Sequence, residues 1–293
     1  MFAGAHTAVV TPFSDKGTVD TEAFRQLIDK QFNNGIKGIV PVGTTGESAT
    51  LSTEEHHRVI EIAVKQASGR GLVIAGTGSN STREAVDLTQ SAEMAGADAA
   101  LLVTPYYNKP SQEGIFQHYS VVAQSTELPL MLYSIPGRCH VEIEVDTAVR
   151  LAEAHSNIRA IKEAGGVTER VRRLREALPE EFEILSGDDA LTVDFMKEGA
   201  VGVVSVASNL IPAAMADMTK AMLENRLGDA EAIHAQYDAL FRAFLQLDTN
   251  PVPIKAALGL TGECLPKLRL PMVEMPKEKV DQLRKILASL ELL

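Results

Sequence analysis

Cysteine is scarce in this 293-residue chain, which contains only Cys139 and Cys264. The two form no CxxC pair and no histidine cluster lies beside them, so we expect neither a disulfide framework nor a zinc site. Long apolar runs are also missing, because no segment approaches the roughly 18 apolar residues of a membrane-spanning helix. The opening residues MFAGAHTAVVTPF lack the basic region of a signal peptide. We therefore expect a cytoplasmic protein with no membrane partner.

Positive charge is in deficit. The chain has 28 lysine and arginine residues against 39 aspartate and glutamate residues, which gives a formal net charge of −11 and a pI near 5.2. This sign opposes attraction to nucleic-acid phosphates, so we expect no nucleic-acid partner. Because 45% of the residues are hydrophobic, disorder is excluded, and the length suits one barrel-sized domain with an appendage.

Eight short apolar runs recur along the first two thirds of the chain. They cover residues 6–10, 37–42, 72–76, 98–103, 129–134, 158–162, 182–186 and 201–206. Most are separated by segments with helical apolar spacing, such as 21–35 and 54–69. Eight strand–helix units with nearly continuous apolar strands predict an α/β fold, a parallel (β/α)8 TIM barrel. A doubly wound open sheet is the alternative.

Beyond residue 212 the pattern consists of helices alone. Amphipathic stretches cover residues 212–225, 228–247, 251–260 and 276–290. The first fits the last helix of the barrel and the others form an appendage. We therefore divide the chain into a catalytic barrel, residues 1–225, and a C-terminal helical extension, residues 226–293.

Each apolar run ends in a polar or glycine-rich tail. In a TIM barrel these tails converge on the face that carries the catalytic groups. Lys162 ends one such run, and an alternation of period two places it on the same face as Ala160 and Ile158. If that face is the barrel interior, desolvation lowers the lysine pKa toward the free amine that attacks a carbonyl. A lysine that reaches solvent or pairs with Glu163 is the competing interpretation.

Three of the five tyrosines follow two neighbouring strands of the predicted barrel, namely Tyr106, Tyr107 and Tyr133. A phenol can donate, accept and relay a proton, although core or interface packing explains any single tyrosine equally well. Arg138 lies in a Pro-Gly-Arg turn and offers a planar fork for a carboxylate. An arginine at the protein surface is the alternative there.

The turn GTTGE at 43–47 lacks the lysine of a Walker motif and the spacing of GxGxxG, so no nucleotide site is predicted. Its amides and hydroxyls suit the small carboxylate of a keto acid. Ser52 and Ser81 each begin a segment that fits a capping box. Asp188 and Asp189 have no partner ligand cluster, so we interpret them as acceptors that order a loop and expect no metal.

Taken together, the motifs resemble the class I lyases of the N-acetylneuraminate lyase superfamily, and within it the dihydrodipicolinate synthase family. The similarity spans nearly the whole chain through GTTGES (43–48), AGTGSNST (75–82), TPYYNKPSQEG (104–114), YSIPGR (133–138), IKEAGG (161–166), SGDD (186–189), NPVPIK (250–255) and LRLPM (268–272). The resemblance implies a class I aldolase that condenses pyruvate with L-aspartate-4-semialdehyde in the diaminopimelate route to lysine. A sister aldolase for sialic acid or keto-deoxy sugar acids, and a barrel that only binds keto acids, are the alternatives.

The resemblance also implies four catalytic residues. Lys162 would form the Schiff base with pyruvate, and Tyr133 would carry protons on and off that intermediate. Thr44 and Tyr107 would complete the proton relay, with Tyr107 contributed by the neighbouring subunit of a homotetramer built from tight dimers. No metal or organic cofactor is implied, because the iminium nitrogen serves as the electron sink.

Four further positions would bind the substrates by the same resemblance. Thr45 and the backbone at Gly187 and Val204 would hold pyruvate, whereas Arg138 would hold the carboxylate of the aldehyde. The chain departs from the family pattern nearby. Ser134 stands where asparagine is common, and Cys139-His140 stands where Thr-Gly is frequent.

A last implication is feedback inhibition by L-lysine at a tight-dimer interface. The matching positions are Ser48, Ala49, His56, Asn80, Glu84 and Tyr106. Glu84 would pair with an ammonium group and Tyr106 would contact the carboxylate of the ligand. Thr53 stands where enterobacterial relatives carry a second histidine. A helix cap for Glu84 and a helix-surface position for His56 are the alternatives.

Overall fold

The computed structural model describes all residues, 1–293. Eight parallel strands form a closed barrel in chain order. They are β1 (Gly4–Ala8), β2 (Gly38–Val40), β3 (Leu72–Gly76), β4 (Ala99–Val103), β5 (Leu130–Ser134), β6 (Ile158–Glu163), β7 (Glu183–Ser186) and β8 (Gly202–Ser205). Because β8 pairs with β1, the sheet has no edge and the open doubly wound alternative is wrong. The predicted TIM barrel is confirmed.

Twelve helices surround and extend this barrel. They are α1 (Thr21–Asn33), α2 (Thr53–Ala67), α3 (Thr82–Met94), α4 (Gln112–Ala123), α5 (Pro136–Cys139), α6 (Val145–Ala154), α7 (Thr168–Ala177), α8 (Thr192–Lys197), α9 (Pro212–Leu223), α10 (Leu227–Gln246), α11 (Val252–Leu260) and α12 (Lys277–Ser289). All four helical stretches predicted beyond residue 212 are present. None of the helices is long and apolar enough to cross a membrane.

The helix starts follow the capping residues in the sequence. At the start of α2, Ser52 accepts from the Glu55 amide and the Glu55 carboxylate accepts from the Ser52 amide, so the predicted capping box is present. At the start of α3 only half of the predicted box forms. Ser81 accepts from the Glu84 amide, but the Glu84 carboxylate accepts from the Ser79 hydroxyl instead.

The inside of the barrel is filled mainly by apolar side chains, with one aromatic ring at each end. The cluster comprises Phe2, Ala8, Val40, Ile74, Ala99, Leu101, Met131, Tyr133, Ala160, Leu185 and Val204. Phe2 belongs to this cluster at the N-terminal end, where the carboxylate of Glu183 accepts from the N-terminal ammonium of Met1 and from the amide of Phe2. Because this interior is apolar, a charged side chain that points into it from the C-terminal end of a strand has little water to solvate it.

The predicted alternation on β6 is right for Ala160 and wrong for Ile158. Ala160 lies in the interior cluster, whereas Ile158 packs in the layer between strands and helices. The reason is a register irregularity. Leu130 pairs with Ile158 but Met131 pairs with Ala160, so β6 carries one extra residue at its start and changes face there. Lys162 still points inward because the irregularity precedes it.

The C-terminal extension shares an apolar core with the barrel. Phe241 and Phe244 of α10 pack in one cluster with Val203 of β8 and residues of α9. The same helix reaches the mouth of the barrel, where Leu245 lines the cavity described below. The division at residues 225 and 226 stays a prediction, but the site is built from both sides of it.

Candidate active site

Lys162 stands near the C-terminal end of β6, inside the barrel mouth. Its side chain is 5% exposed, and its Nζ lies 4.2 Å from the centroid of the Tyr133 ring. Burial lowers the pKa of Lys162 from 10.5 to about 8, while the charge of Asp189 raises it and that of Arg138 lowers it. The lysine therefore neither reaches bulk solvent nor pairs with Glu163, which is the outcome that the interpretation as a nucleophile requires.

Tyr133 lies beside this amine on the neighbouring strand, where it pairs with Lys162 across the ladder. Burial raises the pKa of the Tyr133 phenol above its usual range, and the charge of Arg138 and a hydrogen bond with Thr44 act against this rise. The phenol is therefore protonated at neutral pH and able to donate. Thr44 lines the same cavity as Tyr133, so these two predicted catalytic residues lie together.

A cavity of about 100 Å³ connects these groups with three of the four predicted binding residues. It is lined by Lys162, Tyr133, Thr44, Thr45, Arg138 and Gly187, among others. Val204 does not line it. That residue is fully buried in the barrel interior, whereas Val206, two residues further along, faces the cavity.

Asn250 joins the two sides of this cavity. Its side-chain amide donates to the Thr45 hydroxyl at 3.0 Å, and its backbone carbonyl accepts from Arg138 at 2.9 Å. Asn250 belongs to the NPVPIK motif between α10 and α11, for which the sequence suggested no role. The signal that marked it was only its place in a motif shared with the family, because nothing in the local pattern predicts contact with a turn 205 residues earlier.

The loop after β7 approaches the lysine closely at Gly187. Its amide donates to the Glu163 carbonyl at 2.8 Å. A Cβ atom at this position would lie 2.9 Å from Cε of Lys162 and 2.7 Å from Cβ of Ala164. Only glycine therefore leaves room for the lysine side chain here.

The two aspartates after Gly187 order backbone, as predicted. Asp188 accepts from the Ala190 amide at 2.9 Å, and Asp189 accepts from the amides of Val206 and Ala207 at 3.1 and 2.8 Å. Burial raises the pKa of Asp189 to about 6, and its hydrogen bonds oppose that rise. At neutral pH the negative charge of this carboxylate favours the ammonium form of Lys162.

Tyr107 is the one predicted catalytic residue that lies outside the cavity. Its side chain is 90% exposed, and its backbone has φ of +72°, in the left-handed region. Within one chain it therefore contacts neither Lys162 nor Tyr133. Ser134, one of the departures from the family pattern, is fully buried and accepts from the Ile143 amide, so it does not face the cavity either.

A second, larger cavity of about 490 Å³ adjoins the first. The two share four lining residues, Thr44, Ile135, Arg138 and Asn250. The larger cavity also brings together five of the six predicted effector positions, Ser48, Ala49, His56, Glu84 and Tyr106. Asn80 does not line it, and its carbonyl accepts from the Asn108 side chain.

His56 faces this larger cavity and is buried, so the helix-surface interpretation is wrong. Its Nε2 bonds the Gly76 carbonyl at 2.9 Å, which makes Nε2 the protonated nitrogen. Burial lowers the pKa of His56, and this hydrogen bond opposes the shift. Its Nδ1 is buried and has no hydrogen-bond partner within the chain.

The family is settled by comparison with known proteins. A sequence model described as the Dihydrodipicolinate synthetase family matches residues 1–290. This chain belongs to that family. Curated 4-hydroxy-tetrahydrodipicolinate synthases of Syntrophotalea carbinolica and Aquifex aeolicus are 45% and 46% identical to it. These matches cover 99% and 100% of this chain and 98% and 99% of the relatives.

Solved structures of the same family agree in fold. The 4-hydroxy-tetrahydrodipicolinate synthase from Methylacidiphilum fumariolicum SolV has a TM-score of 0.97 at 49% identity, covering 99% of this chain and 96% of its own. A chloride-inhibited dihydrodipicolinate synthase from Acinetobacter baumannii, complexed with pyruvate, has a TM-score of 0.98 at 41% identity and full coverage of both chains. The enzyme from Cyanidioschyzon merolae with lysine bound has a TM-score of 0.96 at 40% identity, covering 100% and 99%. The resemblance found in the sequence is confirmed.

Proposed function

We propose that this chain is a 4-hydroxy-tetrahydrodipicolinate synthase, a lyase that condenses pyruvate with L-aspartate-4-semialdehyde on the route to lysine. Membership of the family and the names of its full-length relatives support this reaction. The observation that carries it is Lys162, a buried lysine with a lowered pKa, in a cavity that also contains a protonated tyrosine and an arginine. An amine, a proton donor and a carboxylate receptor are the groups that this condensation needs.

The chemistry begins with the free amine of Lys162, which attacks the keto carbon of pyruvate. The carbinolamine loses water to give an imine, and loss of a proton from the methyl carbon gives the enamine. That carbon then attacks the aldehyde, and the aldehyde oxygen takes up a proton. The amino group of the second substrate finally displaces the Lys162 amine from the imine carbon, which closes the ring of the product and restores the free lysine. Tyr133 supplies and removes these protons, with Thr44 beside it in the same cavity. The protonated imine nitrogen is the electron sink, so no cofactor enters the cycle.

We assign pyruvate to Thr45 and to the backbone at Gly187, with Val204 behind them in β8. Arg138 takes the carboxylate of the aldehyde. Its guanidinium donates to the Asn250 carbonyl with one nitrogen, and its side chain lines both cavities. A charge-assisted carboxylate contact contributes about 1.5–3 kcal/mol, so Arg138→Ala should weaken the aldehyde roughly ten- to a hundred-fold and pyruvate far less.

The direct test is turnover with pyruvate and the aldehyde, measured beside cleavage of N-acetylneuraminate. Borohydride reduction in the presence of pyruvate should add one reduced pyruvate per chain, and peptide mapping should place it on Lys162. An adduct on another lysine would refute the mechanism, and turnover of the sugar acid alone would refute the substrate assignment. Loss of activity in EDTA with recovery on a divalent ion would contradict a cofactor-free cycle.

We further propose that the active assembly is a homotetramer of tight dimers, in which Tyr107 enters the neighbouring active site. Its exposure and its separation from Lys162 within one chain support an arrangement of this kind. Light scattering should give several times 31.6 kDa. A fully active monomer would overturn the shared site, whereas an active dimer would not.

L-lysine is the effector that we propose for the larger cavity. The carboxylate of Glu84 suits its α-ammonium group, His56 and Ser48 suit the side-chain end, and the Tyr106 hydroxyl suits its carboxylate. We retain Asn80 as a position that the partner subunit brings into the same site. Titration of L-lysine against the initial rate should show inhibition that Glu84→Ala removes. The coupling free energy of an effector is typically about 1–3 kcal/mol. An initial rate that stays unchanged up to roughly tens of millimolar L-lysine would therefore refute the effector site.

A further inference from the structure

Glu163 and Arg170 form a buried ion pair directly behind Lys162. Glu163 is the residue after the lysine, and its side chain points away from the cavity into the layer between the barrel and the helices. It is fully buried, and Arg170 of α7 is 7% exposed. Nε of Arg170 lies 2.9 Å from Oε2 of Glu163. The proposed reaction uses neither residue.

Glu163 and Arg170 contact the loops that surround the lysine. The second carboxylate oxygen of Glu163 accepts from the Gly165 amide at 2.7 Å, which fixes the loop after β6. Its backbone carbonyl accepts from the Gly187 amide at 2.8 Å, which fixes the loop after β7. On the other side, Arg170 donates to the Ile143 carbonyl and lies 3.2 Å from the Glu142 carboxylate, beyond β5.

There is little free space around these contacts. A Cβ atom at Gly165 would lie 2.6 Å from Oε1 of Glu163, and a Cβ atom at Gly187 would lie 2.9 Å from Cε of Lys162. Close-packed interiors transmit small displacements instead of absorbing them. A shift of the Glu163 carboxylate therefore moves both the end of β6 and the loop that contacts the lysine stem.

We propose that Glu163 and Arg170 are positioning residues for Lys162, which hold its amine within reach of the carbonyl carbon of bound pyruvate. This inference rests on the proposed function, since it assumes that Lys162 is the nucleophile. A merely structural ion pair makes a different prediction, because its loss would lower the melting temperature and leave the chemistry of the folded enzyme unchanged. Removal of one partner from a buried pair is strongly destabilising, whereas replacement of both partners by well-packed apolar residues often is not.

The decisive variant is Glu163→Gln, which keeps the size and shape of the side chain. A glutamine can accept from either Arg170 or Gly165, but its amide group then faces the other donor, so one contact is lost in either orientation. We expect the rate constant of imine formation with pyruvate to fall at least tenfold, because misplacement by about 1 Å costs up to a hundredfold. The KM for the aldehyde should change less than about twofold, because Arg138 is not attached to this pair.

The matched rescue is the double variant Glu163→Gln with Arg170→Gln. Glutamine places its terminal amide where arginine has Nε, so the two side chains can pair by a neutral hydrogen bond at the position of the original contact. Imine formation should return to within about fivefold of wild type if position, and not charge, is what matters. The control is Glu183→Gln at the opposite end of the barrel, where Glu183 holds the first two residues. It should lower stability without slowing imine formation.

The rate is measured by timed borohydride quenching with pyruvate, followed by mass spectrometry, at least 15 °C below the melting temperature of each variant. Absence of a Lys162 adduct in the wild type would refute the proposed function itself. With wild-type labelling established, a wild-type rate in Glu163→Gln, or a double variant as slow as the single one, would overturn the positioning role. If Glu163→Gln does not fold, Arg170→Lys takes its place. Lysine at this position retains the positive charge but lacks the planar guanidinium group. A wild-type rate of imine formation in this variant would equally overturn the proposal.

Discussion

The pH dependence of imine formation tests the central claim about Lys162. Only the free amine attacks pyruvate, and burial lowers the pKa of this amine to about 8. The rate constant of imine formation should therefore rise with pH, reach half of its maximum near pH 8 and become flat above roughly pH 9. An exposed lysine would still be gaining reactivity at that point.

The expected difference is large. At pH 7.5 a group with a pKa of 8 has about a quarter of its molecules in the free-amine form, whereas a lysine with a pKa of 10.5 has about one in a thousand. Burial of Lys162 therefore contributes roughly a 200-fold gain in reactive amine at that pH. Three charged or titratable groups surround the amine, namely Tyr133, Asp189 and Arg138. Of these, Asp189 is the one that favours the ammonium form.

The assay is timed borohydride trapping with pyruvate between pH 6 and pH 10, on wild type and Asp189→Asn. Removing the carboxylate should move the midpoint below that of wild type, because the ammonium form loses the negative charge that favours it. Asp188→Asn is the matched control, since Asp188 is not among the charges that act on Lys162. A wild-type midpoint near 10, or a shift to higher pH in Asp189→Asn, would refute the argument.

Three further outcomes follow from the contacts. Gly187→Ala should slow imine formation about tenfold or more, because its Cβ collides with the lysine stem, whereas Gly228→Ala has nothing within 4 Å and should be silent in the same assay. Lys255→Met should lower the free energy of unfolding by about 3–5 kcal/mol in denaturant titrations, because it leaves Glu47 buried without its ion-pair partner. Adding Glu47→Gln should recover part of that loss, and a further loss instead would contradict the pairing. His140→Gly should raise the melting temperature by about 2 °C, since His140 has φ of +57°, and a fall would show that its side chain makes a stabilising contact.

Most of the barrel could be predicted from the sequence because its signals are local. Each strand is a short apolar run, each helix has its own period, and the eight units repeat in order. The face of Ile158 could not be predicted, because the extra residue in β6 appears only when the register with β5 is known. The apolar run at 37–42 also extends beyond β2, which ends at Val40. The run does not show that Val42 has a left-handed φ of +50°, a conformation that a strand does not contain.

Part of the candidate site could be predicted from the sequence and part could not. Lys162 and Tyr133 stand at strand ends, and the barrel topology alone brings strand ends together. The place of Asn250 in the site could not be predicted, because its contact with Thr45 joins residues 205 positions apart in the chain. Glu163 was considered only as a possible partner for Lys162, yet it pairs with Arg170 on the other side of the strand. Adjacent residues on a strand face opposite ways, so the pattern alone argued against that pairing.

The two cavities also bear on how L-lysine would act. An effector usually needs a two-state element to carry its influence between distant sites. Here the cavities adjoin, with Thr44 and Arg138 lining both. A ligand in the larger cavity would therefore act on Thr44, which lines the smaller cavity with Tyr133, and on Arg138, the residue that we propose for the aldehyde carboxylate. Inhibition of this kind should change the KM for the aldehyde and the proton-transfer steps, while the trapping of pyruvate on Lys162 by borohydride should continue in the presence of L-lysine. If L-lysine abolished that trapping, the effector would have to act on the lysine itself, and the shared wall would not be its route.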